Sequence, residues 1–109
     1  MIKVVIKRNF RLDPIALSIS GHAGYSESGS DIICSAVSVL AYTLANSIET
    51  YTDVKFNCHI DEENGDFSFS FNDDYDDRAL LLLNPCILGI KSIKDEYGSQ
   101  YINITDQEV

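Results

Sequence analysis

His22 and Cys34 stand at the two ends of a glycine- and serine-rich stretch, Gly-His-Ala-Gly-Tyr-Ser-Glu-Ser-Gly-Ser-Asp-Ile-Ile-Cys, which begins at Gly21. The histidine falls where an alternating strand pattern ends, and the cysteine where a helical pattern begins. This layout can bring an imidazole to a thiol at a helix N-terminus. A free cysteine, with a pKa of about 8.5, is mostly protonated at neutral pH, and a helix dipole or an imidazolium favours its thiolate. The thiolate would attack a peptide carbonyl, and the imidazolium would protonate the leaving amine. Unpaired N–H groups in the first helical turn are expected to hold the oxyanion. The reading is a small cysteine peptidase. Taken singly, Cys34 also reads as a small packing residue, and His22 as an exposed or capping histidine. The combination of strand end, loop and capped helix start favours catalysis.

The elements that must position this pair follow from periodicity. Residues 1–7 alternate as a strand with Ile2, Val4 and Ile6 inward. After a polar turn, residues 15–20 alternate again with Ile15, Leu17 and Ile19 inward, so the two predict a hairpin. Residues 23–30 form the loop, with backbone freedom at Gly24 and Gly29 and no core duty for its residues. Ser30 or Asp31 caps a helix that runs to about Glu49, with Ile33, Val37, Leu40, Leu44 and Ile48 facing the core. A second stripe, Cys34, Ser38, Ala41 and Ala45, is small and suits close packing, so this helix is expected to be central and buried. Residues 54–60 predict a strand with Val54, Phe56, Cys58 and Ile60 inward. Asn64-Gly65 marks a hairpin turn, and residues 66–71 return with Phe67, Phe69 and Phe71 on one face. Leu80, Leu83, Ile87 and Ile90 mark a second helix to about Tyr97, which Pro85 is expected to kink or split. Gly98 ends it, and residues 100–104 give a last strand. The order β-β-α-β-β-α-β predicts an α+β sandwich, two helices packed on a mixed or antiparallel sheet, in a single domain over residues 1–109.

The composition narrows the function classes. Seventeen acidic against eight basic residues give a formal net charge of -9, which repels phosphate and disfavours direct nucleic-acid binding. The same charge would attract a basic partner, although from charge alone it reads first as a source of solubility. No uninterrupted apolar run of bilayer length and no signal-peptide pattern is present, so no membrane role and a cytoplasmic location are expected. Cys34, Cys58 and Cys86 are too few and too scattered for a disulfide framework or a structural zinc site. Cys58 and Cys86 read as core, and His59 points away from Cys58. The acidic run Asp73, Asp74, Asp76 and Asp77 lacks calcium-loop spacing and reads as a solvated helix start. No metal or cofactor is implied.

The segment Gly21-His22-Ala23, then Gly29, Asp31-Ile32-Ile33-Cys34 and Ala36-Val37-Ser38, resembles the signature of the ribosomal-processing cysteine proteases (Prp). Length, element order and the closing helix, from Leu88-Gly89-Ile90 to Glu96-Tyr97, fit the same family. The resemblance implies a small α+β homodimer, a cytoplasmic endopeptidase that removes the N-terminal extension of the precursor of large-subunit ribosomal protein twenty-seven during ribosome assembly. It places the family histidine on His22 and the nucleophile on Cys34. It also matches Asp31, which would cap the helix or orient the imidazole, and Ser38, which would hydrogen-bond within the site. Ser35 departs from the family's more frequent alanine, and Pro85 interrupts the second helix. A different class of function remains open at this point: a non-catalytic dimeric assembly factor that holds a basic ribosomal tail against the acidic surface or a free strand edge. A redox-sensing thiol would need a resolving partner for Cys34, and Cys58 and Cys86 read as buried.

Overall fold

The computed structural model describes residues 1–27 and 31–109; Gly29 and Ser30, named above as loop and cap positions, lie outside them. Its elements run β1 (Ile2–Arg8), β2 (Pro14–Ser20), α1 (Ile32–Tyr51), β3 (Phe56–Asp61), β4 (Asp66–Phe71), α2 (Asp77–Tyr97) and β5 (Ile102–Glu108), in the order the periodicity predicts. The strands form one mixed sheet, ordered β3-β4-β2-β1-β5. β1 and β5 run parallel, and every other neighbouring pair is antiparallel.

Alternation turns Ile2, Val4, Ile6, Leu17, Ile19, Phe67, Phe69 and Phe71 to one face, and both helices cover it. α1 contributes Ile33, Val37, Ala41, Leu44 and Ile48, and α2 contributes Ala79, Leu83, Cys86, Ile87 and Ile90. Side chains as fully enclosed as Phe69, Leu17 and Ile33 contribute roughly 1.5–3 kcal/mol each by leaving water. The helices approach closely at Gly89, where a Cβ would meet Leu40 Cδ1 at 2.8 Å. The close approach predicted from the small stripe of α1 is thus made by a glycine of α2.

Several expectations are corrected. α1 is apolar enough in length and composition to cross a bilayer, yet it is neither central nor buried all round. It lies on one face of the sheet with Ile33, Val37, Ala41, Leu44 and Ile48 in the core, while Val39 on its outer side is 63% exposed. β3 begins at Phe56, and as an edge strand it leaves Cys58 and Ile60 exposed rather than in the core. Pro85 does not split α2, which continues from Asp77 to Tyr97. Leu81, one turn earlier, and Pro85 itself are both exposed, so the carbonyl that loses its N–H partner lies on the solvent side of the helix. Ala23, read as a loop residue without core duty, is buried in the core cluster.

Candidate active site

His22 follows the last residues of β2, and its backbone is set by two neighbours. The β1–β2 register pairs Lys3 with Ser20 and Val4 with Ile19. The β2–β4 register pairs Leu17 with Phe69 and Ile19 with Phe67. Gly21, at φ +84°, then turns the chain where a side chain would lie 2.6 Å from the Met1 carbonyl oxygen. A glycine is required there on both counts.

Cys34 sits in the first turn of α1, and Asp31 is the cap. Asp31 is only 5% exposed. Its Oδ1 accepts from the N–H groups of Ile33 at 3.0 Å and Cys34 at 3.1 Å, while Oδ2 accepts from Tyr25 N–H at 3.1 Å. One carboxylate thus joins the helix start to the loop that follows His22. Burial pushes its pKa up, but the N–H groups of Cys34, Tyr25 and Ile33 together outweigh burial and hold it below the ordinary carboxylate value. Through these bonds Asp31 serves the helix start and the loop. Tyr25 is also packed edge-on against Tyr97 and Tyr101, with ring centroids 5.7 and 5.3 Å away. The α2–β5 junction therefore braces the loop.

The two ends of the stretch meet. Ala23 N–H donates to Cys34 Sγ at 3.3 Å. Backbone geometry then places the Cα of His22 within roughly 6 Å of that sulfur. His22, Cys34, Asp31 and Ser38 all line one cavity of about 680 Å³. Its far wall is the turn between β3 and β4, through Asp61, Glu62, Gly65 and Asp66. Tyr42 O–H donates to Glu62 Oε1 at 3.2 Å and ties that wall to α1.

Two features of the structure bear on the expected chemistry. Burial, together with the nearby Asp31 carboxylate, pushes the Cys34 thiol above its ordinary value, although the Ala23 N–H pulls it down. Burial and the Asp31 charge thus oppose the thiolate that the helix start was expected to favour. The N–H groups of Ile33 and Cys34, expected to hold an oxyanion, are already occupied by Asp31. The N–H aimed at the sulfur comes from Ala23, which pattern reading passed over because an eleven-residue contact across a loop leaves no periodicity. Away from the cavity, Cys58 is exposed on the edge strand, and burial pushes the Cys86 thiol up to about 12. His59 is exposed on β3.

A sequence model of the family described as cysteine protease Prp matches residues 1–103. The chain belongs to the cysteine protease Prp family. It is 26% identical over 101 residues to the ribosomal processing cysteine protease Prp of Bacillus subtilis, covering 89% of this chain and 90% of that one. It is 29% identical over 80 residues to the Staphylococcus aureus protein of the same name, covering 73% and 76%. Among solved structures, it resembles an essential ribosomal processing protease Prp from S. aureus, crystallised with a covalently linked product peptide. That likeness has a TM-score of 0.91 at 27% identity, over 98% of this chain and 100% of that one. A Streptococcus mutans crystal structure matches with a TM-score of 0.85 at 26% identity, over 100% and 96%. The chain is thus a cysteine protease with the α+β fold of its family.

Proposed function

We propose that Cys34 is the nucleophile and His22 the general base and acid of an endopeptidase that trims the N-terminal extension of a basic ribosomal protein precursor, ribosomal protein twenty-seven of the large subunit. The observation that carries the reading is the Ala23 N–H bond to Cys34 Sγ, which sets the histidine's neighbour on the sulfur inside one cavity. The imidazole takes the proton of the Cys34 thiol as attack begins. The sulfur then bonds to the peptide carbonyl carbon, and the oxygen becomes an oxyanion. The Ala23 N–H, beside the sulfur, is the donor best placed for that oxyanion. Imidazolium gives its proton to the leaving amine as the C–N bond breaks. A water, deprotonated by His22, cleaves the thioester and restores the thiol.

Asp31 keeps the nucleophile and the loop in register, and Ser38 lines the cavity where its hydroxyl can bond a peptide backbone. The acidic surface and the carboxylates of the cavity wall suit a basic substrate. The ribosomal processing named for the B. subtilis and S. aureus relatives, and the peptide held covalently by the latter, support the same substrate class. A cytoplasmic homodimer is the assembly this reading carries.

The test is incubation of the purified protein with the ribosomal protein precursor, read by intact mass. Wild type should release an N-terminal fragment, and folded Cys34→Ala and His22→Ala should not. Cleavage by Cys34→Ala would remove the nucleophile assignment. Binding without cleavage by wild type would favour a holding role instead.

A further inference from the structure

The cavity wall opposite α1 comes up to His22 at a residue with no side chain. Gly65, in the β3–β4 turn at φ +71°, lies so near that an added Cβ would stand 3.1 Å from His22 Cε1 and 2.6 Å from the Gly21 carbonyl oxygen. The sheet produces this contact. Ile19 pairs with Phe67 across β2 and β4, and the same register carried two residues on opposes Gly21 to Gly65. Asp61 pairs with Asp66 at the base of the turn, and Gly65 N–H donates to Glu62 O at 3.3 Å, which closes it. At its other side the turn is fastened to α1, the helix that carries Cys34, by the Tyr42–Glu62 hydrogen bond. The turn therefore reaches both sides of the site, one at the imidazole and one at the helix that carries Cys34.

We infer that Gly65 is a positioning residue for the reaction: its bare Cα lets the β3–β4 turn seat against Gly21 and His22 and so sets where the imidazole stands relative to Cys34. The inference rests on the dyad reading above. Any side chain at Gly65 must displace the Gly21 carbonyl or the ring. A displacement of this size at the proton-transfer geometry costs up to ~100-fold in rate.

The experiment compares Gly65→Ala, Gly65→Asn and His22→Ala in a Cys58→Ser background, which removes the exposed second thiol. Two readouts are taken: kcat and KM on the precursor, and the pH dependence of Cys34 alkylation by iodoacetamide, which needs no substrate. Asparagine tolerates the left-handed backbone but carries the same Cβ, so it separates backbone strain from contact and serves if the alanine variant does not fold. Gly65→Ala and Gly65→Asn are both expected to lower kcat ~10- to 100-fold with little change in KM. Their alkylation profiles should move toward that of His22→Ala. Asparagine recovering the activity lost by alanine would overturn the inference, because strain alone would then be the cause. So would two folded variants with wild-type kcat and profile. If His22→Ala itself keeps wild-type kcat and profile, the dyad reading falls and the inference falls with it; if only the Gly65 variants are silent, the dyad reading stands.

Discussion

Asp31 does three things with two oxygens, and replacing it separates them. Asparagine keeps one carbonyl-type acceptor, enough to cap Ile33 and Cys34, but turns an NH2 toward the Tyr25 N–H. Alanine removes the cap as well. Asp31→Ala is therefore expected to destabilise the fold by roughly 1–3 kcal/mol at neutral pH, with Asp31→Asn nearer the lower end. The carboxyl is held below its ordinary value in the folded chain. Its ionic contribution is therefore fully present above the ordinary carboxylate range and fades as pH falls through the depressed value, so Asp31→Asn should converge on wild type in strong acid while Asp31→Ala keeps the deficit of its lost acceptor. Denaturant midpoints measured across that range check the sign. The same charge pushes the Cys34 thiol up. Asp31→Asn should accordingly lower the pH midpoint of Cys34 alkylation even as it loosens the loop; an unchanged midpoint would mean that burial alone sets the thiol.

Helices and strands were legible where periodicity and burial coincide. Ile2, Val4 and Ile6, Phe67, Phe69 and Phe71, and Leu83, Ile87 and Ile90 all lie in the core as their spacing predicts. Legibility failed where neighbours decide. Alternation alone gave Cys58 and Ile60 an inward face, but only the sheet order reveals that β3 is an edge beyond the helices. The site was readable as residue types, with His22, Cys34, Asp31 and Ser38 all lining the cavity, but its wiring was not. Nothing in the spacing tells that Ala23 reaches the sulfur or that Gly65 meets the histidine, because both contacts depend on how the sheet and loop close in space. Pro85 is the instructive element-scale case. Local chemistry argued for a kink or a split, and with Leu83, Cys86, Ile87 and Ile90 packed on either side α2 continues as one helix. The proline then leaves a missing hydrogen bond on the exposed side. Pro85→Ala should restore it and stabilise the protein by about 1–3 kcal/mol, read as a higher denaturant midpoint with unchanged cooperativity. A lower midpoint would show that the ring itself packs or bends the helix usefully.

At the scale of the whole molecule, charge and shape point the same way. A net charge of -9 spread over so small a surface gives a field that draws in a basic chain before any contact is made. The cavity that holds His22 and Cys34 opens beside Asp61, Glu62 and Asp66, so part of this charge stands where a peptide would enter. Such steering acts on encounter, not on the chemistry between imidazole, sulfur and carbonyl, which takes place inside a partly enclosed site. Its range is about 10 Å at 0.1 M salt and about 3 Å at 1 M. Raising salt from about 50 to about 500 mM should therefore lower kcat/KM for the basic precursor by roughly 3- to 10-fold while kcat changes little. A short substrate with the same cleavage residues but no flanking lysine or arginine supplies the control, since it carries nothing for the field to pull and its kcat/KM should stay nearly level. Equal salt dependence for both substrates would place the effect on the enzyme's own conformation. No dependence for either would mean that the acidic surface keeps the protein in solution and takes no part in capture.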